Sequence, residues 1–314
     1  MSLKNIEKTA GTSAGLINRI GRRKPFWLNK RVDFHKAGEL KELLGDLNLS
    51  TICQSAFCPN ISECFSAGRI TFLILGDVCT RNCRFCGVKK GKTKELDPKE
   101  PQKVAEAVSR VKEKYGLRHI VITSVTRDDL EDGGAKAFKQ VVEGIKKRVE
   151  DVTVEVLIPD FKGRRQSLKT VISAKPDIIG HNIETVQRLY FQVRAMADYN
   201  RSLKVLKSIK EISPDIYTKS GIMLGLGEDE SELLESFSDL RRAGCDFLSL
   251  GQYLQPSLIH YPVKRYIPPE EFEELKSKAQ GLGFLYVASG PYVRSSYLAE
   301  EYLTHSVQVA NAKN

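Results

Sequence analysis

Long apolar runs are missing from this chain. None approaches the roughly 20 residues a membrane helix needs, and no signal-peptide core precedes a small-residue cleavage site. A cytoplasmic protein with no membrane partner is therefore expected. Acids are nearly absent from the first thirty residues, where Glu7 stands alone, but serine and arginine enrichment there is slight and a transit peptide is not expected. Histidine is scarce, and its five copies show no metal-like spacing, so none is assigned a role. No long block of like charge reads as a nucleic-acid arm, Arg22-Arg23-Lys24 being the one short cluster. The balance of 49 Lys+Arg against 39 Asp+Glu leaves a net charge of +10, a bias toward acidic partners and no more. Phosphate loops are missing too. Gly91-Lys92-Thr93 ends like a P-loop, yet the glycine required five residues earlier is Cys86. Leu224-Gly225-Leu226-Gly227-Glu228 is not G-x-G-x-x-G and reads as a turn where backbone approaches a ligand.

Cysteine is present and concentrated. Six of the seven fall between Cys53 and Cys86, which in a cytosolic chain points to metal before disulfide. Cys79, Cys83 and Cys86 are spaced C-x3-C-x2-C directly after Ile70-Thr71-Phe72-Leu73-Ile74-Leu75-Gly76, a short β-branched run that reads as a buried strand. Chemistry in α/β folds sits at the C-terminal ends of strands, and this triad would sit there. Three thiolates are one short of the four that hold an ordinary cubane. An open metal position is where a substrate or cofactor enters. Cys53, Cys58 and Cys64, spaced C-x4-C-x5-C and first in chain order, form another triad with the same shortfall. Two iron–sulfur clusters are expected; one shared multinuclear site, a zinc loop and a chance group of free thiols are the alternatives. Cys245 reads as a small buried hydrophobe.

The 314 residues can bury a full core. Leu40, Leu43, Leu44 and Leu47 have helical spacing in an N-terminal arm that carries the only tryptophan, Trp27. From Ile70 onward strand and helix signals alternate. Helices are expected from an Asp97 N-cap with Pro98 at the first position to Gly116, around Phe138 to Val149, Leu168 to Ile172, Ser202 to Ile212, from Asp229 in a capping box with Glu232, and around Phe272 to Leu282. Between them lie strands at His119–Thr123, Val152–Ile158, Asp177–His181, Ser220–Leu224 and Phe247–Leu250. Six β–α units imply parallel strands with right-handed crossovers, in an open doubly wound sheet or a partial barrel.

The block from Cys53 through Cys58-Pro59-Asn60, Glu63-Cys64 and Phe72–Gly76 to Cys86 resembles the lipoyl synthase family of the radical S-adenosylmethionine superfamily. Phe65 replaces a tryptophan common in that family. The resemblance runs from Lys24 to Tyr297 and selects a partial (β/α)6 TIM-type barrel at residues 67–285. Residues 1–66 would be an N-terminal extension carrying the auxiliary triad, and 286–314 a C-terminal extension. It implies two 4Fe–4S clusters, with Cys79/Cys83/Cys86 leaving one iron to chelate S-adenosylmethionine.

By the same resemblance Thr123 and Ser124 approach the cofactor's ammonium, with Gly133-Gly134 in the same segment; Asn182 and Glu184 bind its ribose; Arg194 pairs with its carboxylate; Met223 shapes its pocket. Around Arg194 the chain departs from the family's Pro-rich pattern. Composition alone makes Arg294-Ser295-Ser296-Tyr297 an exposed loop; the family motif makes Ser296, or alternatively Ser295, the fourth ligand of the Cys53/Cys58/Cys64 cluster. The implied activity is that of a sulfurtransferase, inserting sulfur at carbons 6 and 8 of an octanoyl-lysine on carrier proteins. Those carriers are the lipoyl domains of 2-oxoacid dehydrogenases and the glycine cleavage H protein. A flavodoxin or ferredoxin would donate electrons and an iron–sulfur carrier protein would be a further partner, with no nucleic acid involved. The rivals are a tRNA methylthiotransferase, for which no appended RNA-binding domain is evident, a non-catalytic iron–sulfur electron carrier, and a zinc-stabilised scaffold.

Overall fold

The computed structural model describes residues 23–30 and 38–305; Glu7 and Arg22 lie outside the described residues. An eight-stranded sheet organises the chain. Helix α1 (Gly38–Asp46) buries Leu40 and Leu44 and leads to strand β1 (Ser50–Thr51). Two short helices, α2 (Ile52–Ser55), capped by the Thr51 hydroxyl, and α3 (Ile61–Ser66), carry Cys53 and Cys64 of the first triad, with Cys58 between them. Strand β2 (Thr71–Ile74) is buried throughout. A two-residue parallel bridge, β3 (Val78–Cys79) with β4 (Lys89–Lys90), frames the loop of the second triad.

The β/α units follow: α4 (Glu100–Tyr115), β5 (His119–Ser124), α5 (Ala135–Arg148), β6 (Thr153–Leu157), α6 (Arg165–Ile172) and β7 (Ile178–Gly180). After the short α7 (Tyr190–Val193) come α8 (Tyr199–Ile212), β8 (Tyr217–Leu224), α9 (Glu230–Arg242), β9 (Phe247–Gln252), α10 (Pro269–Gly281) and β10 (Tyr286–Gly290). In space the order is β1-β2-β5-β6-β7-β8-β9-β10, with every pairing parallel except β1 on β2. β1 and β10 end the sheet, so the six β/α strands from β2 to β9 form an open, partial barrel. Helices pack on it through single apolar stripes. In α5, Phe138, Val141, Val142 and Ile145 lie at helical spacing and are all buried.

Several boundaries move from their sequence positions. Helix α4 starts at Glu100, because Asp97 accepts from the Lys99 backbone N–H in a turn ahead of it, and Pro101 takes the first-turn place expected of Pro98. The Asp229–Glu232 capping box is present. Strand β8 begins three residues early, at Tyr217, because Lys219 is buried inside the barrel against Glu155 on β6, 2.9 Å away. The C-terminal extension opens with β10, a seventh parallel strand in register with β9. At the N-terminal end of the barrel His119 adds a 3.1 Å contact to Glu155, and the Lys219 ammonium sits 3.6 Å from the ring centre of the fully buried Tyr302. That floor leaves the chemistry to the opposite end.

Candidate active site

A cavity of about 500 Å³ opens at the C-terminal ends of the strands and takes residues from β2, β5, β6, β8 and β9 and from the turn that follows β7. Five of the six clustered cysteines line it: Cys53, Cys58, Cys79, Cys83 and Cys86. Cys64 stands behind, on α3, where its thiol senses those of Cys53 and Cys58. Likewise Cys86 senses Cys83 and Cys79, so the thiols fall into the two groups their spacing marks out. All are free. Burial pushes the Cys53 thiol up to about 11 and those of Cys64 and Cys86 up to about 12, so without metal they are neutral, and metal binding must release their protons. Among the described residues no three His, Cys, Asp or Glu side chains converge as ligands of a single metal ion. A cubane asks for something different, one thiolate per iron.

The second triad's loop is fixed through its backbone. Thr80 N–H donates to Thr126 O at 3.0 Å, Gly91 N–H to Cys79 O at 3.1 Å, and Arg84 N–H to Val193 O at 2.9 Å. The Arg81 N–H points at Cys79 Sγ, 3.4 Å away. Arg81 itself is buried and doubly forked. Its guanidinium donates to both oxygens of Asp128 (2.8 and 3.0 Å) and to both of Asp160 (2.9 and 2.6 Å). This anchor was not singled out in the sequence; an arginine between two ligand cysteines was its only signal.

The first triad is held to the C-terminal segment. Asn60 leaves α3 without a side-chain cap and instead donates to Tyr292 O at 2.7 Å. Glu63 accepts from Tyr297 Oη at 2.8 Å and from Lys30 Nζ at 2.6 Å, while Arg69 pairs with Glu300 at 2.6 Å. These contacts seat Ser295 and Ser296 in the cavity wall, facing different partners. Thr71 Oγ1 donates to Ser296 Oγ at 2.8 Å, and Thr71 also meets the Cys53 thiol. Ser295 Oγ accepts from Asn182 Nδ2 at 2.6 Å. Ser296 is thus on the side of the first triad and Ser295 on that of Asn182.

Gly251 makes room for this arrangement, since a Cβ there would stand 2.1 Å from Val293 O. Gly251→Ala should push the serine segment out of place and reproduce the loss of sulfur insertion expected of a Ser296 variant. Product analysis on reconstituted protein checks this.

At the end of β7, Asn182 Nδ2 lies 3.1 Å from Glu184 Oε1. Glu184 is held at φ 67, a left-handed conformation unusual outside glycine, and burial raises its carboxyl above the usual range. Arg194 Nη1 is taken up by Asn182 O (3.0 Å), Ile183 O (3.0 Å) and Tyr190 Oη (3.1 Å). Its Nε, like Ser124 Oγ, His181 Nε2 and Asn182 Oδ1, is buried without a partner among the described residues. All four side chains line the cavity, so its wall presents both donors and acceptors to a polar ligand. His181, which its spacing left without a role, lines the cavity. Its Nδ1 is 2.9 Å from Ile158 O, and burial pushes its pKa down to about 4, which keeps Nε2 an acceptor. Thr123 lines the cavity while donating to Leu157 O at 3.0 Å, and Met223 lines it from β8.

Other motifs serve the chain itself. A Cβ at Gly225 would meet Arg265 O at 2.2 Å, so the close approach of residues 224–228 is to backbone and not to a ligand. Gly133 and Gly134 pack on Phe161 and Leu75, outside the cavity. Cys245 is fully buried, with its thiol 3.2 Å from Phe247 O.

Residues 73–251 match the profile of the radical SAM superfamily. Solved structures agree on the fold: Streptococcus suis SuiB bound to its precursor peptide SuiA superposes with TM-score 0.54 at 11% identity, covering 92% of this chain and 57% of that one. HydG, a maturase of the FeFe-hydrogenase, gives 0.52 at 15% identity, covering 87% of this chain and 71% of that one. Fold and thiol loop define a radical S-adenosylmethionine enzyme. Curated relatives are nearer in sequence. The lipoyl synthase of Caldicellulosiruptor saccharolyticus is 56% identical over 89% of this chain and 97% of its own length, and that of Geotalea uraniireducens 53% over the same shares. The chain belongs to the lipoyl synthase family.

Proposed function

We infer that this enzyme is a sulfurtransferase that inserts two sulfur atoms, at carbons 6 and 8 of a protein-bound octanoyl-lysine, to make the lipoyl group. One observation carries the reading: two separate thiol triads converge on one cavity, with a serine hydroxyl beside the first. An unactivated methylene has no acidic proton, so acid–base groups have nothing to act on and cofactors must supply the reactivity. When bound, the two 4Fe–4S clusters and S-adenosylmethionine supply the hydrogen-abstracting radical and the sulfur.

The chain's own residues bind and orient. Cys79, Cys83 and Cys86 would hold one cluster with an iron left open. Asn182 and Glu184 would take a ribose diol, Arg194 Nε a carboxylate, Thr123 and Ser124 an ammonium, with Met223 beside them. Ile52, Leu73 and Leu157 line the same cavity as the Cys53 side and would hold an alkyl chain away from water. Cys53, Cys58, Cys64 and Ser296 would hold the second cluster, the serine oxygen being the weakest of four ligands for soft iron. In this division residues 1–66 supply the auxiliary triad, 67–285 the radical-generating barrel and 286–314 the serine.

The finer assignments rest on the family resemblance. We place the enzyme in the cytoplasm, in keeping with seven unpaired cysteines; no helix among the described residues is long and apolar enough to cross a membrane. Its carriers would be lipoyl domains of 2-oxoacid dehydrogenases and the glycine cleavage H protein, and its electrons would come from a flavodoxin or ferredoxin. Iron and sulfide analysis of anaerobically reconstituted protein tests the core of the reading. About eight irons in the wild type should fall to about four in the Cys79/Cys83/Cys86→Ala variant, with all turnover lost. Zinc in place of iron, or one cluster needing both triads, would overturn it.

A further inference from the structure

Four large apolar side chains stand exposed on segments next to the cavity. Leu258 is 97% exposed, Ile259 87%, Phe191 85% and Phe57 76%. They are drawn together around one loop, Cys83 to Gly87. The turn bearing Leu258 and Ile259 closes with His260 N–H on Ser257 O, and His260 Nε2 lies 3.1 Å from Cys86 O. Next to it Tyr261 N–H donates to Arg84 O at 2.8 Å, and Tyr261 Oη donates to Gln192, the neighbour of Phe191, at 3.0 Å. On the other side a Cβ at Gly87 would stand 3.4 Å from Pro256 and 3.5 Å from Phe57. Phe57 and Pro256 also line the cavity, so the rim is continuous with its entrance.

The segments that carry this rim lean basic, although Lys89, Arg188 and Arg265 on them pair with Asp77, Glu232 and Glu271. Residues 51–62, 84–94, 186–197 and 251–266, which build it, contain no Asp or Glu, while Lys24, Arg84 and Lys90 are exposed there. An exposed apolar cluster beside the exposed Lys24, Arg84 and Lys90 fits a protein partner with an acidic face.

We propose that this rim, with the Leu258–Ile259 turn at its centre, is the docking surface for the small acidic carrier domain that delivers the octanoyl-lysine. The proposal rests on the function given above. Continuity with the cavity decides for the carrier over an electron donor: only the carrier must put a side chain into the cavity that Phe57 and Pro256 line. The apolar tips act as interface anchors, and the basic border speeds encounter in a salt-dependent way.

The test is the Leu258→Ser/Ile259→Ser double variant. Both positions are nearly fully exposed, so stability should hold. Turnover is compared on an intact octanoylated carrier domain and on a short octanoyl-lysine peptide, with dithionite as reductant. The expected result is a fall of about tenfold or more in kcat/KM for the domain, through KM, with the peptide and S-adenosylmethionine cleavage unchanged. Equal losses on both substrates would mean that the turn shapes the cavity, and would overturn the proposal. So would no loss on either. A deficit seen only when a protein donor replaces dithionite would overturn it in favour of an electron-donor surface. A wild type inactive on both substrates would instead count against the function itself.

Discussion

Ser296→Ala is expected to stop sulfur insertion while leaving reductive cleavage of S-adenosylmethionine at its wild-type rate. The hydroxyl sits 2.8 Å from Thr71 Oγ1, and Thr71 touches the Cys53 thiol, so its loss falls on the first triad alone. Ser295→Ala makes the opposite expectation. That hydroxyl is 2.6 Å from Asn182 Nδ2, on the side of the ribose site, so its removal should weaken S-adenosylmethionine binding and spare the auxiliary cluster. Counting 5′-deoxyadenosine against lipoyl product in both variants separates the two. Equal loss of both products in Ser296→Ala would make that serine structural.

The second large effect is on stability. Arg81→Met should destabilise the metal-free protein by about 3–5 kcal/mol, because it strands two carboxylates that the guanidinium now satisfies, one of them fully buried. Asp160 is 1% exposed and keeps only Arg201, at 2.8 Å, as a charged partner after the change. Urea unfolding of apo protein measures this, and an unchanged midpoint would show that the network carries no stability. Arg81→Lys should recover only part of the loss, since an ammonium cannot grip two carboxylates bidentately.

These two cases also mark what could be read from sequence. Thiol spacing alone located both triads, because coordination chemistry repeats at short range. Arg81 could not be read, since its partners are 47 and 79 residues away. The polar start of β8 hid a strand residue, Lys219, whose burial depends on Glu155 across the barrel. β10 was missed because Tyr-Val-Ala-Ser-Gly buries only Val287 fully and closes the sheet at its edge. His181 adjoins Asn182, but nothing in the sequence marks its ring; its place in the cavity wall and its unpartnered Nε2 do so. Ser296 looked like a surface residue by composition and was reached only through the family motif.

Ser295 and Ser296 share one peptide bond yet hold to opposite halves of the cavity, through Asn182 and Thr71. The two proposed ligand sites thereby share a single link of backbone. If binding at one site shifts that link, reciprocity requires an effect of equal size on binding at the other.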